Sequence, residues 1–282
     1  MVKQISKIYS VFLIGILCFL AGCNNDYIGL VTAKDLDDRL AVRNEFVLLK
    51  DDDLDIDFDD DYSFIVLTDT HIENGDDWGL SGIVNIADNI DAKFVVVLGD
   101  ITQYGSVQDM QKFLDFTEAL SVPCYPVAGN HDVYFDSWPV WKSMIGSTSY
   151  KVKITNNDSG AETTLFILDS ANAFFGRSQL DWLEYELKQL PANERIFVFT
   201  HAPLFVTGPV NMQQITDVKE RARVVSLLRG RNAMMFMGHL HKDMLNEAGG
   251  VKYVAIEDFK SKKAYCVVTV NGANISFERK KL

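Results

Sequence analysis

Phe64-Ile65-Val66-Leu67-Thr68-Asp69-Thr70-His71 is the stretch on which the architecture turns. Four apolar residues follow one another without alternation, so a strand here is covered on both faces, as inside a sheet with helices packed outside it. The strand then passes directly into a polar segment in which an aspartate and a histidine stand two residues apart. The same pattern returns along the chain. Phe94 to Leu98 leads into Gly99-Asp100, Tyr125-Pro126-Val127 into Gly129-Asn130-His131-Asp132, Ile196 to Phe199 into Thr200-His201, and Ala233 to Phe236 into Gly238-His239-Leu240-His241. Between these strands the apolar spacing becomes helical over Ile83 to Ile90, over a stretch capped by Ser106 that carries Met110, Phe113, Leu114, Phe116 and Leu120, over Trp138 to Ile145, over Ser178 to Leu190, and over Val218 to Leu228, which Gly230 stops. Two further strands, near Tyr150 to Ile154 and Thr164 to Leu168, flank the turn signal Asn156 to Gly160, and the chain beyond His241 reads as short antiparallel strands. These elements predict an α/β fold of two mixed β-sheets packed face to face and flanked by helices.

With 282 residues, 48% of them hydrophobic, the chain is long enough for one large domain with a sizeable core. Its formal net charge of -12 argues against a general nucleic-acid binder, which gains affinity by displacing counterions with a basic surface. Residues 1 to 22 have the layout of a secretory signal, with Lys3 and Lys7 ahead of the apolar run Ile8 to Leu20, which is short of the roughly 20 residues a spanning helix needs. Leu20-Ala21-Gly22-Cys23 resembles a bacterial lipobox, which implies a lipidated Cys23 and a protein anchored to a membrane of the cell envelope. Cys18 leaves with the signal, and Cys124 and Cys266, both in apolar surroundings, read as buried free thiols. Residues 23 to 62 read as an acidic linker or N-terminal extension ahead of a domain over 63 to 282. Within it, eight of the eleven residues from Asp51 to Asp61 are aspartate. They lack the spacing of a calcium loop, and the alternation Asp55-Ile56-Asp57-Phe58-Asp59 suits an edge strand.

The chemistry lies at the strand ends. The chain has five histidines, His71, His131, His201, His239 and His241, and each follows an apolar strand beside Gly, Asp, Asn or Thr. Open α/β sheets place ligand sites in the loops at the carboxyl ends of their strands, so these loops converge on one crevice. In an extended loop, residues at i and i+2 face the same way, which pairs Asp69 with His71 and His239 with His241. A set rich in carboxylate and imidazole, with no cysteine in any motif, suits Mn, Fe or Zn rather than Ca or a thiolate-bound metal.

The ordered set Asp-x-His, Gly-Asp, Gly-Asn-His-Asp, Thr-His and Gly-His-x-His, from Asp69 to His241, resembles the calcineurin-like metallophosphoesterase superfamily. The resemblance implies two metal ions, one held by Asp69, His71 and His241, the other by Asn130, His201 and His239, with Asp100 bridging them. It implies hydrolysis of phosphomonoesters or phosphodiesters by a metal-bridging hydroxide, with small phosphorylated molecules as substrates. It makes His131 a histidine that is not a ligand and that assists the leaving group. Gln103 stands where relatives place an Asp that would favour a charged His131, so a neutral hydrogen-bond donor is expected there. Without that Asp, and without an Arg after it, protein phosphatase activity is disfavoured. Tyr104 falls one position too far to match the tyrosine ligand of purple acid phosphatases. Ser178 to Leu183 resembles a stretch of cyclic-nucleotide phosphodiesterase-like and phosphatase-like members. Trp138 and Trp141 either wall the pocket or pack in the core, and Phe205 to Gln214 is either a mobile rim loop or a connector. The alternative to an enzyme is a surface-binding lipoprotein with a structural or vestigial metal site, against which the complete ligand set argues.

Overall fold

The computed structural model describes residues 36–58, 61–134, 136–156, 162–206, 214–272 and 274–282. The signal segment, Cys18, Cys23, the turn residues Asn157 to Gly160 and the stretch 207–213 lie outside the described residues. Among the described residues, no helix is long and apolar enough to cross a membrane.

In chain order the elements are α1 (Leu36–Leu40), α2 (Asp51–Leu54), β1 (Asp55–Phe58), β2 (Tyr62–Leu67), α3 (Ser81–Asn89), β3 (Ala92–Val97), α4 (Val107–Ala119), β4 (Cys124–Pro126), α5 (Asn130–Val133), α6 (Trp138–Met144), β5 (Tyr150–Asn156), β6 (Glu162–Leu168), α7 (Arg177–Gln189), β7 (Arg195–Thr200), α8 (Val218–Leu228), β8 (Asn232–Met237), β9 (Met244–Ala248), β10 (Val251–Ala255), α9 (Phe259–Lys262), β11 (Ala264–Asn271) and β12 (Asn274–Lys281). One sheet runs β1-β5-β6-β7-β8-β10-β9 and the other β12-β11-β2-β3-β4. Both are mixed, as the sequence predicts: β2, β3 and β4 are parallel while β11 pairs antiparallel with β2, and β6, β7, β8 and β10 are parallel while β5 runs against β6 but along β1, and β9 runs against β10.

The unbroken apolar runs now have a reason. Phe64 and Val66 point between the sheets with Phe94, Val96, Phe197, Phe199 and Phe236, and Phe64 stacks on Phe94 at 4.4 Å between ring centroids. The alternate residues Ile65, Leu67, Val95 and Val97 point outward beneath α3, α4 and α6. On the other sheet, Phe166, Leu168, Ile196 and Val198 pack beneath α7 and α8. Each strand is therefore apolar at both parities, and Phe64→Ala would cost about 3–5 kcal/mol by leaving a cavity between the sheets.

The N-terminal boundary differs from expectation. The described part of the stretch read as a linker is folded onto the body. Leu36, Leu40, Val42 and Leu49 are buried, and Arg39 is fully buried in a forked ion pair with Asp169, at 2.7 and 2.9 Å. A local excess of aspartate hid this, because a single buried partner 130 residues away gives no local sequence signal. The edge-strand reading holds for β1, which is the outermost strand of its sheet with Asp55 and Asp57 exposed. The C-terminal reading needs one correction. The strands there are antiparallel in the pairs β9–β10 and β11–β12, but β10 runs parallel to β8, and the short helix α9 intervenes. Cys124 and Cys266 are buried and free.

Candidate metal centre

The carboxyl ends of β2, β3, β4, β7 and β8 gather every strand-end motif at one edge of the sandwich. Backbone hydrogen bonds hold the loops together: Asp69 N donates to Gly99 O at 3.0 Å, His71 N to Asp100 O at 2.8 Å, and Gly238 N to His201 O at 2.9 Å. Approach this close requires glycine. A Cβ on Gly129 would lie 2.0 Å from Asp100 N, and one on Gly238 2.0 Å from Thr68 Oγ1. Asp69, His71, Asp100, His239 and His241 all have left-handed backbone, with φ of 53, 42, 46, 69 and 50°. Such strain in residues other than glycine persists where the surroundings over-determine it, and it clusters at functional sites.

Two groups result. Asp69, His71 and His241 place one ligand atom each within 4.8 Å of one another, and so do Asp100, His201 and His239. Asn130 joins the second group, its Oδ1 lying 3.1 Å from His201 Nε2. Asp100 lies between the groups, its Oδ2 3.3 Å from His201 Nε2 and 3.8 Å from His71 Nε2. Asp69 Oδ2 accepts from Thr68 Oγ1 at 2.6 Å and from His239 N at 2.9 Å, which leaves Oδ1 facing His241 Nε2 at 3.1 Å. His201 Nδ1 donates to Leu98 O at 2.8 Å, which aims Nε2 into the cluster.

These residues fit a pair of cations. His201 Nε2 lies 3.0 Å from His239 Nδ1, and His71 Nε2 lies 3.4 Å from His241 Nε2, so imidazole nitrogens converge in pairs. His71 Nδ1 is buried with no hydrogen-bond partner, and buried Asp69 Oδ1 meets only imidazole nitrogens, His241 Nε2 at 3.1 Å and His71 Nε2 at 3.8 Å. Buried polar groups are rarely left so, and here the carboxylate oxygen points at ligand-type nitrogens.

Electrostatics agree. Burial opposes charge on Asp69 and Asp100, but the imidazoles win and hold both carboxyls below the ordinary range, Asp69 chiefly through His241 and Asp100 chiefly through His201. Burial pulls His71 and His239 down to about 4. His201 is equally buried, yet the Asp100 carboxylate pushes it up to about 9. His241 is raised by its hydrogen bond to Asp69. Asp132, pushed up to about 6 by burial and by Asp100, is a tether rather than a ligand. It accepts from Thr102 N at 2.9 Å, Ile101 N at 3.2 Å and Gly129 N at 2.9 Å, tying the Asp100 loop to α5.

His131 sits at the junction, with Nε2 4.0 Å from Asp100 Oδ2 and its ring 4.8 Å from that of His71. Its Nδ1 donates to the main-chain oxygen of Gln103 at 2.7 Å, while the Gln103 side-chain nitrogen lies 3.5 Å away. The main chain thus does the orienting that the missing Asp would have done. This corrects the neutral-donor expectation. A neutral imidazole whose proton is committed at Nδ1 has none at Nε2, so donation into the cluster requires the imidazolium.

Trp138 and Trp141 are buried in the core, so neither walls the site. Gln179, in the Ser178 stretch, is fully buried and binds the backbone of Asp169 and Phe175, a structural task. Trp78, Glu73 and Lys260 were missed. Trp78 Nε1 donates to His71 O at 2.9 Å, and Lys260 Nζ lies 3.3 Å from Glu73 Oε2. A surface cavity of about 530 Å³ between Leu48, Leu114, Val122 and Met144 contains none of the strand-end residues.

Comparison with known proteins gives a consistent picture. A sequence model of the family described as calcineurin-like phosphoesterase matches residues 62–243. A protein of Rhodopseudomonas palustris named as a probable cyclic nucleotide phosphodiesterase is 26% identical over 208 residues, covering 67% of this chain and 75% of that protein. A 3',5'-cyclic adenosine monophosphate phosphodiesterase of Vibrio vulnificus is 25% identical over 209 residues, covering 67% and 73%. Among solved structures, a purple acid phosphatase from yellow lupin seeds superposes with a TM-score of 0.63 at 11% identity, over 79% of this chain and 52% of that one. A dimetal phosphatase from Danio rerio gives 0.57 at 16% identity, over 77% and 98%. At these identities the structural matches speak for the fold.

Proposed function

Because this chain belongs to the calcineurin-like phosphoesterase family of metal-dependent phosphate-ester hydrolases, we propose that it hydrolyses phosphodiesters, cyclic nucleotides among them, at the cluster centred on Asp100. The observation that carries the reading is the convergence of these ligand-type groups on one carboxylate, with buried Asp69 Oδ1 facing His241 Nε2 at 3.1 Å beside them. The phosphodiester choice is supported by the similarity to proteins named as cyclic nucleotide phosphodiesterases. Asp69, His71 and His241 would hold one ion and Asn130, His201 and His239 the other, with Asp100 shared. When bound, two ions of Mn, Fe or Zn supply the positive charge that clamps a phosphoryl group and a hydroxide nucleophile near neutral pH.

The chain's own residues do the rest. Asn130 offers a neutral oxygen and so limits the negative charge that faces an anionic substrate. Asp100 Oδ1 accepts from His131 N at 2.9 Å, which fixes α5 against the shared carboxylate. His131, as the imidazolium, gives its Nε2 proton to the departing ester oxygen while Nδ1 stays on Gln103 O. Thr68 and the His239 amide occupy Asp69 Oδ2, so only Oδ1 remains for a ligand bond. The sequence Leu20-Ala21-Gly22-Cys23 supports a lipid anchor at Cys23 and a place on the cell envelope. Cys23→Ala should then move the protein from the membrane to the soluble fraction, and mass spectra that retain residues 1 to 22 would refute the anchor.

The test of function is a substrate panel on protein stripped of metal and reloaded with Mn. Cyclic and linear diesters should turn over with close to two ions per chain. Two bound ions with no hydrolysis of any ester, or a stoichiometry that stays near zero, would sink the reading.

A further inference from the structure

Lys260 reaches the cluster from a part of the chain that no strand-end motif marks. It lies in α9, whose N-cap Asp258 accepts from Ser261 N at 2.7 Å. Phe259 N and Lys260 N donate to Thr68 O and Asp69 O at 2.9 and 3.2 Å. The backbone of Lys260 is therefore fastened to the loop that carries Asp69. Its side chain crosses to the opposite wall, with Nζ 3.3 Å from Glu73 Oε2, 3.5 Å from Gln103 Oε1 and 5.0 Å from the centre of the Trp78 ring. Gln103 is the residue whose carbonyl holds His131. The ammonium thus spans the rim of the cluster from Asp69 to the support of His131.

Its partners are held firmly. Ile72 bridges Thr102 in parallel and Gln103 N donates to Ile72 O at 2.9 Å, so Glu73 and Gln103 stand on joined backbone. Buried Asp109 accepts from Gly75 N at 3.0 Å and steadies the turn after Glu73. A partly exposed ion pair alone contributes little, about 0–1 kcal/mol, so stability does not account for three loops and an indole converging on one lysine. The requirement for a cation is clear. The protein carries a net charge of -12, its substrate is an anion, and Ile101 to Gly105 after the shared carboxylate contains no arginine. An ammonium has three N–H donors, and Glu73 with Gln103 engages two.

On the reading that this is a phosphoesterase site, we propose that Lys260 is a substrate-contacting residue whose ammonium turns from Glu73 to an oxygen of the phosphoryl group on the His131 side. It supplies from α9 the clamp charge missing after Asp100, and Glu73 is its competitor.

The rival is a purely structural ion pair, and the two make opposite demands. The probe is inorganic phosphate titrated into the full-length, Mn-loaded protein by calorimetry, with metal content and melting temperature read alongside. Lys260→Met should weaken phosphate binding about tenfold, the scale of one charge-assisted hydrogen bond, and Lys260→Arg should keep most of the affinity. Glu73→Gln should tighten binding, because it removes the competitor. Phosphate affinity unchanged in Lys260→Met, or weakened alike in Lys260→Met and Glu73→Gln, overturns the proposal. Should Lys260→Met fail to fold, the sign of the Glu73→Gln effect decides alone. Failure of the phosphoesterase reading looks different, since the unsubstituted protein would then hold two ions yet neither bind phosphate nor hydrolyse any ester.

Discussion

The two halves of the cluster are built to different standards. On the Asp100 side, His201 is 1% exposed, its Nδ1 is fixed on Leu98 O, and its Nε2 meets Asp100 at 3.3 Å and Asn130 at 3.1 Å. On the Asp69 side, the His241 side chain is 45% exposed, with its Nδ1 3.9 Å from Asp258, and His71 Nδ1 has no partner at all. Partners behind a ligand fix its tautomer and direction and raise metal affinity. The first half is therefore shaped before anything binds, while the second is completed by what it binds. Two ions should then be held unequally, tightly by His201 and His239 and loosely by His71 and His241.

Asp100→Asn attacks both halves at once and should have the largest effect, a loss of turnover on the order of 10⁴-fold or more with poor retention of either ion. Near-normal kinetics in that variant would show that the halves work separately. His131→Ala tests whether the junction residue belongs to either half. It should leave two ions in place and cost about 10²–10⁴-fold for alkyl or ribosyl leaving groups, and clearly less for activated aryl esters. Equal losses across a leaving-group series would remove the general-acid role, and a lost ion would make His131 a ligand. His241→Ala and His201→Ala compare the halves directly. Elemental analysis should find close to one ion retained in His241→Ala and a greater overall loss in His201→Ala, with affinity at the damaged half lowered beyond the roughly 10–100-fold that losing a partner behind a ligand costs; the reverse order would overturn the comparison. The smallest signal is a proton. The metal-free His201, held at about 9 by Asp100, is protonated at pH 7 and must become neutral to ligate. Metal uptake should therefore release about one proton at pH 7, fading as pH rises through 9, as read by calorimetry in buffers of different ionisation enthalpy.

The strands and the eight strand-end residues were legible because their signals are local. A run such as Phe64 to Leu67 declares its own burial, and Asp69-Thr70-His71 or His239-Leu240-His241 puts two ligand-type groups within three residues. What stayed hidden depends on partners far along the chain. Lys260 meets Gln103 across 157 residues, and Arg39 meets Asp169 across 130. In sequence, the first is one of several lysines near the C-terminus and the second sits in a stretch dominated by acidic residues. The neutral-donor expectation for His131 failed for a related reason. Gln103 was judged by its side chain, whereas its carbonyl makes the contact, and every residue type has one.

The left-handed backbone at Asp69, His71, Asp100, His239 and His241 sets the interests of the fold against those of the reaction. Each such residue costs roughly 1–2 kcal/mol that glycine would not incur. The metal-free chain would thus be more durable with these positions surrendered, and His241→Gly, at the most exposed of the proposed ligands, should melt at a higher temperature than the natural protein when both are stripped of metal, and should lose that advantage when both are loaded. At these five positions the chain gives up backbone ease for ligand-type side chains, a strain held in place by the loops packed around them.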